Sequence, residues 1–374
     1  MTREYDLIVA GASFAGLACA RAAAARGLSV LVLERKPDPG ASPRTTGILV
    51  QEAAAALGPP AAFTRRIGGV RLYAPSLRCI DLESPGYDFL ATDTPGLLRW
   101  LAAEAEAAGA EVLCGTEYRG GRRGGGYIVL AELGLRSRFL AGADGARSRV
   151  AKDFGLGLNR RFLTGIEVEF EGIRGLDEER LHCFLDSRLA PGYLAWIVPG
   201  VAITQVGLAC RGPIGSRLDS FTTRARTLAD WSGARAVGRR GGLIPVGGAV
   251  RPFALGNVIL AGDAAGLVSP LTAGGIHTAL ESGRRAGEAI AAYLIGGGPH
   301  PERALRREYP RFIWKQLLRA ALDTRPPNRL LDLAFALPPF RALARSVFFH
   351  HRGWLRLYPR TASLLRGAAR QRTR

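Results

Sequence analysis

Short apolar runs and helix-forming stretches alternate at the start of the chain. Residues 5–10 form an apolar run that ends at Gly11, a pattern typical of a buried parallel strand. An alanine-rich stretch over residues 15–26 contains strong helix formers and ends at Gly27. Residues 28–33 have the pattern of a second buried strand. The alternation predicts a strand–helix–strand unit whose two strands lie parallel in one sheet.

The periodicity changes in the middle of the chain. Over residues 165–171, apolar positions alternate with Glu167, Glu169 and Glu171, which predicts an antiparallel strand with its glutamate face exposed. This part of the chain is therefore expected to form a second, sheet-rich domain inserted into the first. The other predicted elements are a helix over 95–108, a strand over 110–114, a hairpin near 120–126, strands near 181–186, 193–198 and 202–209, a strand over 257–262 and a helix over about 275–295.

The C-terminal region is predicted to be helical and is strongly basic. Pro326–Pro327 and Pro338–Pro339 should separate its helices. Residues 301–374 contain 17 Arg and Lys but only four Asp and Glu, in a chain of formal net charge +19. Such a region suits nucleic acid, an anionic membrane surface or a phosphorylated substrate, and it also fits a merely solvated surface. Its aromatic residues, which would suit docking at a membrane surface, are Trp314, Phe348, Phe349, Trp354 and Tyr358.

Cysteine usage and hydropathy indicate the compartment. The five cysteines are far apart and include no C-x-x-C pair, so we expect no disulfide framework, no zinc site and no other metal. One long uncharged run, between Arg188 and Arg211, is interrupted by Pro191 and Pro199, which predicts two strands around a turn and no transmembrane helix. The N-terminus does not have the pattern of a signal peptide. We expect a cytoplasmic protein that can also lie on the inner face of the membrane.

The first candidate binding segment, Gly11–Gly16, directly follows a predicted strand and begins a helix. Backbone amides at such a helix start bind a pyrophosphate, and small residues let the phosphate approach. Ser13 departs from the G-x-G-x-x-G pattern, but its hydroxyl can donate to phosphate. Glu34 ends the second strand, where its carboxylate can accept both ribose hydroxyls of an adenosine. Arg35, beside it, leaves room for a 2′-phosphate. The alternative is a tight turn without a ligand.

Two later segments could contact the same extended ligand. Residues 142–148 include Asp144 and by themselves would be a loop with an Asx-type turn. Gly262–Gly266 include Asp263, which can accept hydrogen bonds from a sugar or polyol chain at the end of a strand. Gly274–Gly275 then begin a helix whose positive end suits an anionic ring edge or a phosphate. With the first motif present, these segments are interpreted as further contacts to one dinucleotide.

In this order, the three motifs resemble those of the two-dinucleotide-fold flavoproteins that include aromatic hydroxylases. Within them, the chain is most similar to the geranylgeranyl reductase family, from about residue 5 to 300. The resemblance implies an α/β fold in which a Rossmann-type FAD-binding domain carries an inserted antiparallel-sheet substrate domain and a helical C-terminal tail. The expected domains are the FAD-binding domain at 1–155 and 240–298, the substrate domain at 70–92 and 156–239, and the basic helical region at 299–374.

The same resemblance implies how FAD is bound. Ala15 and Glu34 would contact its pyrophosphate and ribose, Asp263 its ribityl or pyrophosphate portion, and Gly275–Ile276 the isoalloxazine end. The cofactor-binding residues indicated by the motifs and the resemblance together are Gly11, Ser13, Ala15, Gly16, Glu34, Arg35, Arg44, Thr45, Thr46, Gly47, Arg99, Asp144, Gly262, Asp263, Pro270, Gly274, Gly275 and Ile276.

Two positions depart from the family pattern. Arg44–Gly47 lie where the family has an Arg–Cys–x–x–Gly segment beside the flavin, and Thr45 replaces the cysteine, so any role of that thiol is absent. The family often has an FAD-contacting arginine before the helix at 97–108. Thr94 occupies that place here, and Arg99 is the nearest candidate to substitute for it.

The substrate side is indicated by residues 192–199, which resemble the Tyr-x-Trp-x-Phe-Pro segment of the family. Tyr193 comes one place early, Val198 replaces the phenylalanine, and Trp196 is retained. The alternative is a strand buried in the core. Gly266 lies where aromatic hydroxylases usually have histidine, which favours a reductase.

The function implied is reduction of isolated carbon–carbon double bonds in a geranylgeranyl-type prenyl chain, a hydrophobic small-molecule or lipid substrate. Reduced FAD would deliver hydride to one alkene carbon while a proton reaches the other, with NAD(P)H or ferredoxin as reductant. His277 and Tyr193 are candidates for the acid, and Trp196 is a candidate for the substrate cavity, although each also fits a structural role.

Two other functions are compatible with the sequence. A flavin monooxygenase using NAD(P)H and oxygen on an aromatic or polyketide-like substrate would have the same flavin site. A flavin-free basic protein that binds nucleic acid or a membrane through its tail is the third hypothesis. Against nucleic acid, the tail has no recognisable binding fold and mixes its aromatic residues with aliphatic ones, so nucleic acid is not expected as a partner.

Overall fold

The computed structural model describes residues 2–310 and 312–349. The strands are β1 (Arg3–Ala10), β2 (Val30–Glu34), β3 (Ile48–Leu49), β4 (Thr64–Ile67), β5 (Gly69–Tyr73), β6 (Cys79–Glu83), β7 (Phe89–Thr92), β8 (Ala110–Cys114), β9 (Arg122–Gly124), β10 (Tyr127–Leu130), β11 (Leu135–Gly142), β12 (Phe162–Glu171), β13 (Arg180–Phe184), β14 (Ala195–Pro199), β15 (Thr204–Cys210), β16 (Arg235–Pro245), β17 (Ala254–Leu255) and β18 (Val258–Leu260). The helices are α1 (Phe14–Ala24), α2 (Gln51–Leu57), α3 (Thr94–Ala107), α4 (Arg149–Asp153), α5 (Arg217–Ala225), α6 (Ile276–Gly296), α7 (Pro301–Arg306), α8 (Ile313–Leu322), α9 (Asn328–Phe335) and α10 (Pro338–Phe348).

The N-terminal part of the chain forms the predicted strand–helix–strand unit. β1 pairs in parallel with β2 on one side and with β11 on the other. The strand order across this sheet is β17-β18-β11-β1-β2-β8. Every residue of β2 is buried, as expected of a strand inside an α/β sheet. This Rossmann-type arrangement confirms the predicted α/β fold class.

The second large sheet has the strand order β16-β12-β15-β14-β13-β5-β6. It is antiparallel except where β13 pairs with β5. One of its faces packs against α5 through Leu218 and Phe221. The other face packs against the small sheet β3-β7-β4: Cys183 of β13 and Val198 of β14 lie in one buried cluster with Phe89 of β7. The predicted strands after the glutamate-rich one are observed as β13, β14 and β15, whereas the domain bounds stay a prediction.

The exposure predicted for β12 is wrong at its centre. The alternating pattern places the glutamates in water, but Glu167 is only 3% exposed and is less accessible than its neighbour Ile166. The reason is tertiary: the glutamate face packs against the segment before β3, and Thr46 of that segment donates to the Glu167 carboxylate. Only Glu171, at the end of the strand, is exposed.

The proline pairs separate the C-terminal helices as predicted. α9 begins directly after Pro327, and α10 begins at Pro338. The aromatic surface expected here is wrong for Phe349, which is buried with Phe335 against the second sheet. None of the helices in the described part of the chain is both long and apolar enough to span a membrane. Three expectations lie outside the described residues: Trp354, Tyr358 and the side chain of Trp314.

Candidate active site

The first motif closes tightly between β1 and α1. Gly11 has a positive φ of 104°, and a Cβ at Gly16 would lie 1.8 Å from the Gly11 carbonyl oxygen, so a larger residue at position 16 would force the backbone apart. The first-turn amides of a helix have no intrahelical acceptor. Ser13, the residue before the helix, makes no capping hydrogen bond with its side chain and is exposed. Its hydroxyl and these amides are free to bind a phosphate.

Glu34 is fixed beside this loop at the end of β2. Its carboxylate is 5% exposed and accepts hydrogen bonds from the backbone amides of Ala12, at 2.8 Å, and Lys36, at 3.0 Å. The Lys36 ammonium donates to two backbone carbonyls of its own loop. Arg35 is exposed and lies 4.0 Å from the Glu117 carboxylate. The acid is therefore hydrogen-bonded to the loop between β1 and α1, and both neighbouring cations lie close to acceptors of the protein itself.

The three motifs meet at one place. The backbone amide of Ala143 donates to the Ala10 carbonyl at 2.9 Å, which joins the second motif to the first. A Cβ at Gly262 would lie 2.8 Å from the Cβ of Ala15, which places the third motif against the first turn of α1. The side-chain amide of Asn159 donates to carbonyl oxygens of both later motifs. Segments that are far apart in sequence thus surround the N-terminus of one helix.

The two acids of the later motifs keep acceptor capacity for a ligand. Asp144 uses one carboxylate oxygen to accept the backbone amides of Arg149 and Val150, and its other oxygen is buried without a partner among the described residues. Burial raises the pKa of Asp144. Burial also raises the pKa of Asp263 to about 6. Open acceptors next to free helix amides fit a dinucleotide, because such a ligand offers both hydroxyl donors and phosphate oxygens.

The segment Arg44–Gly47 lies between the small sheet and the second large sheet. The Arg44 side chain packs 3.6 Å from the position that a Cβ would take at Gly242 of β16. Thr45 accepts from the Gly47 amide over 3.4 Å, and the Gly47 carbonyl accepts from Thr92. The segment therefore contacts both the small sheet and the edge of the second sheet.

Arg99 lies on α3. Its guanidinium pairs with Asp38, 2.6 Å away, in the loop that follows Glu34. The structure thus places Arg99 beside Gly40 of that loop, and it is exposed.

The loop before α6 approaches the second sheet from the other side. Within it Pro270 is buried and Gly274 is exposed, Gly275 directly precedes the helix, and Ile276, the first residue of α6, is buried. The hydroxyl of Tyr193 donates to the backbone carbonyl of Thr272 in this loop. His277, in contrast, is exposed. Of the two candidate acids, Tyr193 is the one whose side chain has a hydrogen bond to this loop.

Trp196 is linked to the segment Arg44–Gly47 through Glu167, a residue that the sequence did not indicate as part of the site. Its indole nitrogen donates to the Glu167 carboxylate at 3.0 Å, and the Thr46 hydroxyl donates to the same carboxylate oxygen at 2.8 Å. The Arg240 guanidinium donates to the other oxygen at 2.5 Å. The pairing of β12 with β16 and, through β15, with β14 brings Arg240, Glu167 and Trp196 together, and no motif in the sequence marks Glu167 or Arg240.

Comparison with known proteins agrees with this geometry. A family model described as FAD dependent oxidoreductase matches residues 6–90. The chain is 32% identical over 309 residues to digeranylgeranylglycerophospholipid reductase 2 of Methanopyrus kandleri, covering 77% of each protein. It is 29% identical over 320 residues to geranylgeranyl diphosphate reductase of Rhodobacter capsulatus, covering 79% of this chain and 77% of that protein.

A solved structure has the same fold. The crystal structure of a geranylgeranyl bacteriochlorophyll reductase-like protein from Thermoplasma acidophilum superimposes with a TM-score of 0.81 at 20% sequence identity. The match covers 98% of this chain and 99% of that one. The shared fold therefore extends over both large sheets and the helices that follow them.

Proposed function

This chain belongs to the geranylgeranyl reductase family of FAD-dependent oxidoreductases, and on that premise we propose that it reduces carbon–carbon double bonds of a geranylgeranyl-type prenyl chain. FAD, once reduced, supplies the hydride for one alkene carbon. The other carbon takes a proton, so each double bond gains two hydrogens. NAD(P)H or ferredoxin is the proposed source of electrons.

The residues that would hold FAD are those of the three converging motifs. Ser13 and the first-turn amides of α1 would bind the pyrophosphate, and Glu34 the adenosine ribose. Asp144 and Asp263 would accept hydroxyl hydrogens, and the loop ending at Gly275 would contact the ring end. The open acceptor oxygen of Asp144 and the tight backbone closure at the first motif support this assignment.

A single observation carries the substrate proposal: two residues of the Tyr-x-Trp-like segment reach the flavin-side segments. Tyr193 donates to Thr272 in the loop before α6, and Trp196 shares the Glu167 carboxylate with Thr46. Trp196 also packs in an apolar cluster with Tyr193, Ile244 and Ala273 beside that loop. An apolar, aromatic wall at this place suits a prenyl chain that must reach the flavin.

Tyr193 is our proposed proton source. Burial raises its pKa, so the phenol is protonated at neutral pH and is a weak acid, which gives up its proton only to a strongly basic acceptor such as the carbon centre that hydride addition would leave. His277 is the second candidate, and its exposure makes it the less direct one.

The deciding experiment is one anaerobic assay. The FAD-loaded protein is reduced under argon and mixed with geranylgeranyl diphosphate, and the molecular mass of the product is measured by mass spectrometry. Reoxidation of the flavin with a gain of two hydrogens per reduced double bond is expected. If no hydrogenation occurs under argon, the assay is repeated in air with an aromatic or polyketide-like substrate. Substrate-dependent oxygen uptake there would instead establish the monooxygenase alternative.

We also propose that the C-terminal helices dock the protein on an anionic membrane surface, where a lipid substrate resides. Large apolar residues of α8 to α10 and their connections are exposed, and Leu333 is 66% exposed. Arg325, Arg329, Arg341 and Arg345 of the same region are exposed as well. Apolar side chains beside arginines suit the boundary between anionic headgroups and acyl chains. The exposed apolar residues, named here the C-terminal apolar surface, are Ile313, Leu317, Leu318, Leu330, Leu333, Leu337 and Leu343.

A further inference from the structure

We propose that Glu167 is a positioning residue, which holds the indole of Trp196 in place for the prenyl reduction. The inference deepens the proposed function and rests on it. Three donors from different parts of the chain converge on this one carboxylate: Arg240, Thr46 and Trp196. Since the carboxylate is only 3% exposed, water does not compete appreciably for these bonds.

The register of the second sheet aligns these residues in one row. Glu167 of β12 lies opposite Arg240 of β16 on one side and opposite Gly207 of β15 on the other. Gly207 in turn lies opposite Trp196 of β14. Side chains in such a row point to the same face of the sheet. The carboxylate and the indole are thus two strands apart and meet across the strand between them.

The missing side chain at position 207 makes this contact possible. A Cβ at Gly207 would lie 2.6 Å from the Cβ of Glu167 and 2.8 Å from the Cε2 atom of Trp196. Both distances are shorter than a carbon–carbon contact allows. Gly207 therefore leaves the gap through which Glu167 reaches Trp196.

Glu167 is suited to orient and not to supply a proton. Its hydrogen bonds come from a guanidinium, a hydroxyl and an indole N–H, and an indole can only donate. The Arg240 guanidinium pairs with this carboxylate and also with that of Glu169, at 2.6 Å. Its role is exerted through Trp196, which packs beside Tyr193 and the loop before α6.

The same carboxylate ties the substrate side to the flavin side. The Thr46 hydroxyl donates to the oxygen that also accepts the indole N–H. Thr46 belongs to Arg44–Gly47, the segment predicted to run beside the flavin. Displacement of Glu167 would therefore release both the indole and this segment. A small loss of alignment between reacting groups slows an enzyme by up to about 100-fold.

The test is a double-mutant cycle in the full-length, FAD-loaded protein. One arm, named the Leu pair, is Glu167→Leu with Arg240→Leu, which removes the carboxylate together with the guanidinium that binds it. The other arm is Trp196→Phe, which keeps a ring but removes the N–H. The first readout is the near-UV circular dichroism of Trp196, defined as the difference between two spectra of proteins that differ only by Trp196→Phe. The second readout is the anaerobic rate at which a geranylgeranyl substrate reoxidises the reduced flavin. Glu171→Gln, on the same strand and exposed, is the matched control.

The Leu pair is expected to abolish the Trp196 dichroism and to slow reoxidation about 10- to 100-fold, with KM nearly unchanged. Combined with Trp196→Phe, it should slow the reaction no further, because both changes remove one contact. The proposal would be overturned if the combined variant were slowed by the product of the factors measured for the two arms. It would also be overturned if the Trp196 band survived in the folded Leu pair.

One further variant and one wild-type outcome keep the test decisive. If the Leu pair does not fold, Glu167→Gln is used, since the amide keeps the size of the side chain and must turn its NH₂ toward one of the three donors. A weakened Trp196 band is then expected, and an unchanged band refutes the role of Glu167. A wild type that does not react with the prenyl substrate would refute the proposed function alone, because the dichroism still reports whether Glu167 holds Trp196.

Discussion

The hydroxyl of Tyr193 donates a hydrogen bond to the backbone carbonyl of Thr272, which joins the second sheet to the loop before α6. If this phenol is the proton source, Tyr193→Phe should lower the rate of flavin reoxidation by a prenyl substrate about 100-fold or more, because general acids contribute factors of this size. Stopped-flow absorbance measures the rate, and Tyr293→Phe, on the outer face of α6, is the control. A rate within twofold of wild type would remove Tyr193 as the acid.

Glu34→Gln should weaken FAD binding about 30-fold. The carboxamide has one acceptor oxygen, so it cannot accept the backbone amides of Ala12 and Lys36 and also two ribose hydroxyls. The loss of hydrogen bonds to a charged acceptor costs about 2 kcal/mol of binding free energy. Fluorescence titration of FAD into the apoprotein gives the dissociation constant. Glu117→Gln changes an exposed carboxylate nearby and should leave the constant alone. Equal affinities for the wild type and Glu34→Gln would contradict the ribose assignment.

Gly16→Ala should yield a protein without bound flavin and with a lower melting temperature. The added Cβ would lie 1.8 Å from the Gly11 carbonyl oxygen, so the loop must open, at a cost of about 1–3 kcal/mol. The ratio of absorbance at the flavin band to that at the protein band reports flavin content, and scanning calorimetry reports stability. Gly296→Ala is the control, because a Cβ there meets nothing within 4 Å. A yellow, fully stable Gly16→Ala protein would show that the loop is not closed in this way.

Asp263 should make the stability of the apoprotein depend on pH. Burial raises its pKa from 3.8 to about 6, so the folded protein holds this proton more tightly than the unfolded chain does. The contribution of this carboxyl to stability is therefore largest below pH 3.8, falls as the pH rises through this window, and stays low above about pH 6.

Asp263→Asn should accordingly stabilise the apoprotein at pH 7.5 more than at pH 4.5. Urea unfolding at several pH values measures the difference, with Asp219→Asn, an exposed change on α5, as the control. A stability gain that is the same at every pH would mean that the Asp263 carboxyl does not titrate between the two limits.

The C-terminal apolar surface should bind vesicles that contain phosphatidylglycerol. The triple serine variant of Leu330, Leu333 and Leu337 should bind at least tenfold more weakly. Each substitution removes apolar side-chain area that would otherwise be buried in the acyl region of the membrane. Co-sedimentation at low and high salt measures it, and Leu158→Ser with Leu255→Ser is a control of similar exposure elsewhere on the surface. Undiminished binding of the triple variant, or equal binding to neutral vesicles, would contradict the proposed docking.

The sequence by itself determined the local features of the cofactor site. The strand before Gly11, the helix after it and the acid at Glu34 all belong to one strand–helix–strand unit, in which spacing along the chain fixes position in space. The same holds for the proline breaks before α9 and α10, because a missing amide acts on its own segment.

Only the tertiary structure decided which residues surround Trp196. The alternating pattern of β12 assigned Glu167 to water, yet the register of the antiparallel sheet and the packing of Thr46 buried it under three donors. Whether a polar face of a strand meets solvent or another domain depends on contacts between distant parts of the chain, and periodicity within one strand contains no information about them. For the same reason, the sequence does not show that Gly207 leaves a gap between Glu167 and Trp196, because this gap exists only when β12 and β14 pair with β15.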